Sequence, residues 1–186
     1  SAFVRGMNTA TIMATVMRMN GEIGVPVGAI IYEPLMGHMW IGEIGQETRL
    51  ISTRSGAGGT IQISEYIPAK IRTSICVFPG ASHQLAEVSH VINGDSRFSD
   101  QQMGAFGIGG GLITSGLLDA TAIAATAATE AAAMSLIVCN AGGLIYDLNG
   151  DWITHFKFGE VRGKPDFELP NGALLASCDS VAKEVL

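Results

Sequence analysis

Charge is scarce in this chain of 186 residues. Asp, Glu, Lys and Arg together make up 15% of it, and eleven basic against seventeen acidic residues leave a net charge of −6 and an isoelectric point near 5.1. The basic residues are scattered and form no cluster, which argues against a nucleic-acid-binding surface. Cysteine is scarce too. Cys76, Cys139 and Cys178 are odd in number, far apart and set in apolar stretches, a pattern of buried reduced thiols in a cytoplasmic protein rather than of a disulfide framework, and no zinc spacing is present. Long hydrophobic runs are also missing. Gly, Thr and Asn interrupt every apolar stretch before the roughly 18 residues needed to span a bilayer, and the start has no charged segment followed by an apolar one. A membrane is therefore not an expected partner, and no internal repeat suggests a solenoid.

What is present is apolar surface. Apolar residues make up 47% of the chain and its mean hydropathy is +0.33, high enough to predict that much of the exterior is covered by core, by a partner chain or by further sequence. The length suits one domain, or one and a part.

From Thr9 to Ser64 the pattern is an antiparallel meander. TATIMATVMRM reads as a strand, Asn20-Gly21 as a hairpin turn, and VPVGAIIYEP and HMWIGEIG as the next strands, joined through Pro34 to Gly37. Short strands at Arg49–Ser52 and Thr60–Ser64 extend the sheet across the connection SGAGG. IRTSICVF is a further strand, and Ser82 is placed to cap a helix over HQLAEVSHVI, whose Leu85, Val88 and Ile92 share one face. A polar stretch follows. The glycine-rich run from Met103 to Ser115 reads as a loop feeding a closely packed helix. Residues 156–170 read as a polar, Pro-containing loop, Ala173–Ala176 as a strand, and Asp179 as the start of a final helix.

The segment Gly116 to Gly150 carries the most chemistry. It reads as a strand near Leu118–Ile123, an Ala-rich helix opened by Thr129 and Glu130, a stop at Gly142-Gly143, and another strand. Between Leu117 and Ile145 the groups able to ionise near neutral pH or to hold a hard cation are Asp119, Glu130 and, weakly, Cys139. Glu130 stands out, because a carboxylate in the first turn of an apolar helix meets unpaired N–H groups and the positive dipole end, which favour its ionised form. Two readings stand at this point: Thr129 and Glu130 as an ordinary helix-start pair, or Glu130 as a cation ligand. His38, His83, His90 and His155 have no spacing that would make a metal pair, and are expected to be structural or exposed. GAFGIGGG lacks the following Lys-Ser/Thr of a phosphate-binding nucleotide loop.

Several short motifs in order, Phe3-Val4-Arg5-Gly6, Val27 to Pro34, Gly116 to Ala120, Glu130 to Ala133, Ala141 to Asp147 and Leu174 to Ser177, resemble those of the inositol monophosphatase superfamily of magnesium-dependent phosphomonoesterases. The resemblance implies an α+β fold, a layered αβαβα sandwich of the inositol monophosphatase and fructose bisphosphatase type with its N-terminal part missing. It implies residues 1–80 as the end of an antiparallel-sheet subdomain and 81–186 as a C-terminal α/β subdomain. It implies Mg2+ as cofactor, a small phosphorylated substrate and a second copy of the chain as partners, and hydrolysis by metal-activated water. Glu130 falls at the last metal carboxylate of such enzymes. The front segment that supplies their other carboxylates, in an Asp-Pro-Ile-Asp-Gly-Thr motif, has no counterpart before Ser1-Ala2-Phe3, so the expectation is a rear portion of a longer enzyme or a relative without catalysis, kept as a subunit or scaffold.

By the same resemblance Gly107, Ile108 and Gly109 fall along the substrate pocket, with helix-packing glycines as the competing reading. Ile123 falls where inositol-specific members carry a substrate-contacting glutamate, so the resemblance does not extend to inositol as substrate. Arg5 is read as a surface charge in preference to an ion-pair partner.

Overall fold

The computed structural model describes residues 10–64, 66, 68–76, 83–100, 107–123, 128–161, 163–169 and 171–186. Arg5 and Ser82 lie outside the described residues.

β1 (Ile12–Asn20) and β2 (Ile23–Glu33) form an antiparallel hairpin across Gly21-Glu22. Gly21 has φ +62, the left-handed region an Asn-Gly turn predicts. Pro26 sits inside β2 beside a register slip, where Val16 pairs with Gly28 but Met17 with Pro26; a residue without an N–H is tolerated at such a bulge. The turn from β2 to β3 (His38–Glu43) closes through Gly37 N to Glu33 O at 2.9 Å. The Glu33 carboxylate, 1% exposed, accepts the Leu35 and Met36 N–H groups at 3.1 and 2.5 Å, so its burial leaves no unmatched charge-bearing oxygen. β4 (Thr48–Ser52) and β5 (Gly58–Ile61) complete the meander.

Residues 156–161 and 164–168 correct the sequence reading. They are no loop but the hairpin β10 (Phe156–Val161) and β11 (Lys164–Glu168), which adds to the start of β2 through Phe156↔Gly24 and Lys157↔Ile23. Lys157, Gly159 and Glu160 dilute the alternation, while Pro165 suits β11 because it is an edge strand. The first sheet thus runs β11-β10-β2-β3-β4-β5, with β1 on β2.

The second sheet has the order β7-β6-β8-β12-β9, from β7 (Phe98–Asp100), β6 (Ile71–Cys76), β8 (Ala120–Ile123), β12 (Ala173–Ala176) and β9 (Leu144–Tyr146). β6 runs parallel to β7 and β8, and the other pairs are antiparallel. β7 lies in the stretch read as merely polar; its three residues are too few to show a period. The sheets do not divide at residue 80, since β6 already belongs to the second and β10–β11 return to the first.

Between the sheets lie α2 (Ile108–Thr114) and α3 (Ala128–Asn140). On the other face of the second sheet lie α1 (His83–Gly94) and α4 (Asp179–Val185). Alternate residues of β12 face each way: Ala173 and Leu175 join the core around α3, Leu174 and Ala176 the core around α1 and α4. The result is an α+β sandwich of layers β, α, β, α. The outer face of the first sheet carries no helix among the described residues.

Candidate functional site

α3 is apolar on every side, with Ala128 and all eight residues from Ala131 to Val138 buried, as expected of a helix pressed between two sheets. Its first turn is where polar groups break through. Thr129 and Glu130 are both exposed. Thr129 does not act as the expected cap: it lies within the helix, its hydroxyl donates to Asp166 Oδ1 on β11 at 3.0 Å, and its carbonyl accepts Thr15 Oγ1 of β1 at 3.4 Å. Glu130 has no hydrogen-bond or ion-pair partner among the described residues. Neighbouring atoms desolvate its carboxyl and raise its pKa above the ordinary value, which opposes the preference of the helix start for the ionised form.

Asp119, the other carboxylate of this segment, is fully engaged. It is 5% exposed, and its two oxygens accept Arg72 Nε at 2.9 Å, Nη2 at 2.7 Å and the Arg72 backbone N–H at 2.7 Å. Arg72 was not singled out by sequence reasoning; the only signal was that a buried Asp119 would need a cation, and no spacing pointed to which one. Cys139 departs from the expectation of a buried thiol: it is exposed at the end of α3, yet desolvation pushes its pKa up to about 11, which keeps it a poor nucleophile. His90 and His155 are exposed, and His38 packs edge-on against Trp40 at 5.8 Å.

The glycines of α2 serve packing. A Cβ on Gly109 would lie 3.0 Å from the Thr121 side chain, on Gly110 2.8 Å from Met134, on Gly111 2.7 Å from the Trp40 ring, and on Gly107 2.5 Å from Met13. Ile108 is 7% and Ile123 0% exposed, both inside cores. These contacts favour the packing reading of Gly107 and Gly109 and put Ile108 and Ile123 among the buried side chains; none of these side chains offers a hydrogen bond. A single unpaired carboxylate suits one position on a hard cation, but among the described residues no three His, Cys, Asp or Glu side chains gather into a metal site. The described residues alone do not fit a magnesium ion.

No protein-family model and no curated protein matches the chain. Solved structures do. The inositol monophosphatase of Zymomonas mobilis superposes with a TM-score of 0.71 at 16% identity, over 99% of this chain and 64% of its own. The chain has the inositol monophosphatase fold. A Pyrococcus horikoshii protein described as having similarities to inositol-1 monophosphatase gives 0.68 at 20% identity, and the Thermotoga maritima IMPase 0.70 at 15%, each over 99% of this chain. The chain spans less than two thirds of the length of these inositol monophosphatase-fold structures, 64% and 63% for the last two.

Proposed function

We propose that this chain forms part of a magnesium-dependent phosphomonoesterase acting on a small phosphate ester of a sugar, polyol or nucleotide, in which Glu130 is one carboxylate of the cation site. The reading is carried by one observation: in a chain that superposes over 99% of its length on an inositol monophosphatase, Glu130, a carboxylate with no partner among the described residues, stands on the first turn of the central helix. The remaining ligands would come from outside the described residues, so no step of the hydrolysis is assigned to this chain's own groups. Magnesium in such a site would polarise the phosphate and activate water. Backbone N–H groups of Gly107, Ile108 and Gly109 would line the substrate pocket, with Ile123 at its wall. The same reading takes the protein as a cytoplasmic dimer. No helix of the described residues is long and apolar enough to cross a membrane.

The test compares two polypeptides on a panel of inositol phosphate, fructose bisphosphate, histidinol phosphate and adenosine 3′,5′-bisphosphate. The 186-residue chain should show no magnesium-dependent turnover. The chain joined to whatever native sequence precedes it should turn over at least one ester, with Glu130→Gln lowering kcat and raising the magnesium requirement by about tenfold or more. Equal turnover by both polypeptides would sink the assignment of the missing ligands. Inactivity of the longer one across the panel would favour a non-catalytic subunit.

A further inference from the structure

A cleft lies away from Glu130, where the two sheets meet. It has a volume of about 340 Å3. One wall is the end of β5 and the residues after it, Ile61 to Ser64; the other is Arg72 of β6 with Asp119 just before β8 and Ser177 just after β12, and the end of α2 is the floor. Ile63 N donates to Ala141 O at 2.7 Å, which ties the cleft to the C-terminal end of α3. At 1.5 Å per residue that is about 16 Å along the helix from Glu130.

Its polar groups are fixed and only partly used. Arg72 spends Nε–H and one Nη2–H on Asp119 and one Nη1–H on Gly116 O at 2.8 Å. One N–H on each of Nη1 and Nη2 remains without a partner among the described residues, on a guanidinium whose side chain is 36% exposed. Asp119 O accepts the Ser177 N–H at 2.8 Å, so the same residue positions Arg72 and Ser177. The Ser177 hydroxyl is buried, on a residue 7% exposed, and makes no hydrogen bond. An orphaned hydroxyl beside a half-used guanidinium is costly unless something fills the cleft. The carbonyls of Gly111, Leu112 and Ile113 at the end of α2 are taken by N–H groups of residues 115–118, so they ask nothing of an occupant.

We propose that this cleft binds a small organic monocarboxylate, its two oxygens on the free Arg72 N–H groups, its apolar body against Ile61, Ile63 and Tyr66, and the Ser177 hydroxyl as a further donor. Guanidinium matches carboxylate in the two-pronged manner that a point charge cannot. Asp119 behind the guanidinium cancels much of its charge, so directional hydrogen bonds and the apolar walls supply the affinity, and a monoanion fits better than a phosphate dianion. The apolar walls set the site apart from a bare anion trap. The inference stands independently of the phosphatase reading, since it uses neither Glu130 nor a metal.

The 186-residue chain, free of divalent cations, is titrated with benzoate and followed by 1H–15N spectra. Saturable shifts are expected at Arg72 Nε–H and at the Ser64 and Ser177 amides, with affinity about tenfold tighter than for acetate, which lacks the body, or benzyl alcohol, which lacks the charge. Ser64→Glu, which sets a second carboxylate at the exposed rim, should weaken benzoate about tenfold with an unchanged Tm; Ser177→Ala, which leaves the Arg72–Asp119 pair intact, should weaken it severalfold. No saturable shift, shifts confined to other residues, acetate or inorganic phosphate binding as tightly as benzoate, or affinities indifferent to both substitutions would each overturn the proposal.

Discussion

Two effects oppose each other at Glu130. The first turn of α3 favours a carboxylate by about 0.3–1 kcal/mol, while the loss of water around the side chain favours the protonated acid, and the net direction is upward. The folded-state pKa therefore lies above the unfolded one, so the folded protein binds this proton more tightly and stability falls as pH rises through the folded pKa. Glu130→Gln should match the parent in Tm near pH 4 and exceed it by pH 7. A cation on the carboxylate reverses the sign, because it favours the ionised form. Side-chain carboxyl NMR of Glu130 checks both points: titration at or below the ordinary value of about 4.3 without metal would refute the desolvation argument.

Among the elements, α2 and the β10–β11 hairpin show what local sequence carries and what it hides. The meander from β1 to β5, α1, α3 and β12 were legible, because turn residues and apolar periods there agree with the tertiary packing. The hairpin was not, since Lys157, Gly159, Glu160 and Pro165 read as polar coil and their strand pairing is decided by contact with β2. Glu130 was legible from its isolation in an apolar segment; Arg72 and Ser177 were not, because only the fold brings them to Asp119. In α2, close packing of Gly109, Gly110 and Gly111 was one of two readings open in the sequence, and their partners were not legible. Those partners set a magnitude. Gly111→Ala gains about 0.5–1 kcal/mol of helix propensity but drives a methyl into the Trp40 ring, which is 1% exposed and cannot yield, at about 1–3 kcal/mol. The net expectation is a loss of up to about 2.5 kcal/mol. Gly94→Ala, at the end of α1 with nothing near the new methyl, should be neutral or stabilising by up to about 1 kcal/mol. Chemical denaturation of the two variants checks the pair, and equal effects would show that α2 has room to shift.

For the molecule as a whole, the first sheet is the anomaly. Its inner face packs on α3, but its outer face presents Ile12 at 62%, Val16 at 64% and Ile30 at 40% exposure. Across the pairing, Ala14 lies opposite Ile30, and Ile30 opposite Ile41, so these side chains form one apolar surface rather than scattered exceptions. β1 also pairs only with β2 among the described strands, leaving a nine-residue edge whose one charged residue is Arg18. An apolar face beside a long free edge promotes association between chains. It is also where the high mean hydropathy of the sequence surfaces in the structure. The 186-residue chain should therefore bind an apolar dye and show a sedimentation coefficient that rises with concentration. Val16→Lys with Ile30→Thr should reduce both while moving stability by no more than about 0.5 kcal/mol, since neither side chain is part of the core. Dye binding and sedimentation unchanged by the double substitution would place the sticky surface elsewhere; a large loss of stability would mean that this face is already covered in solution.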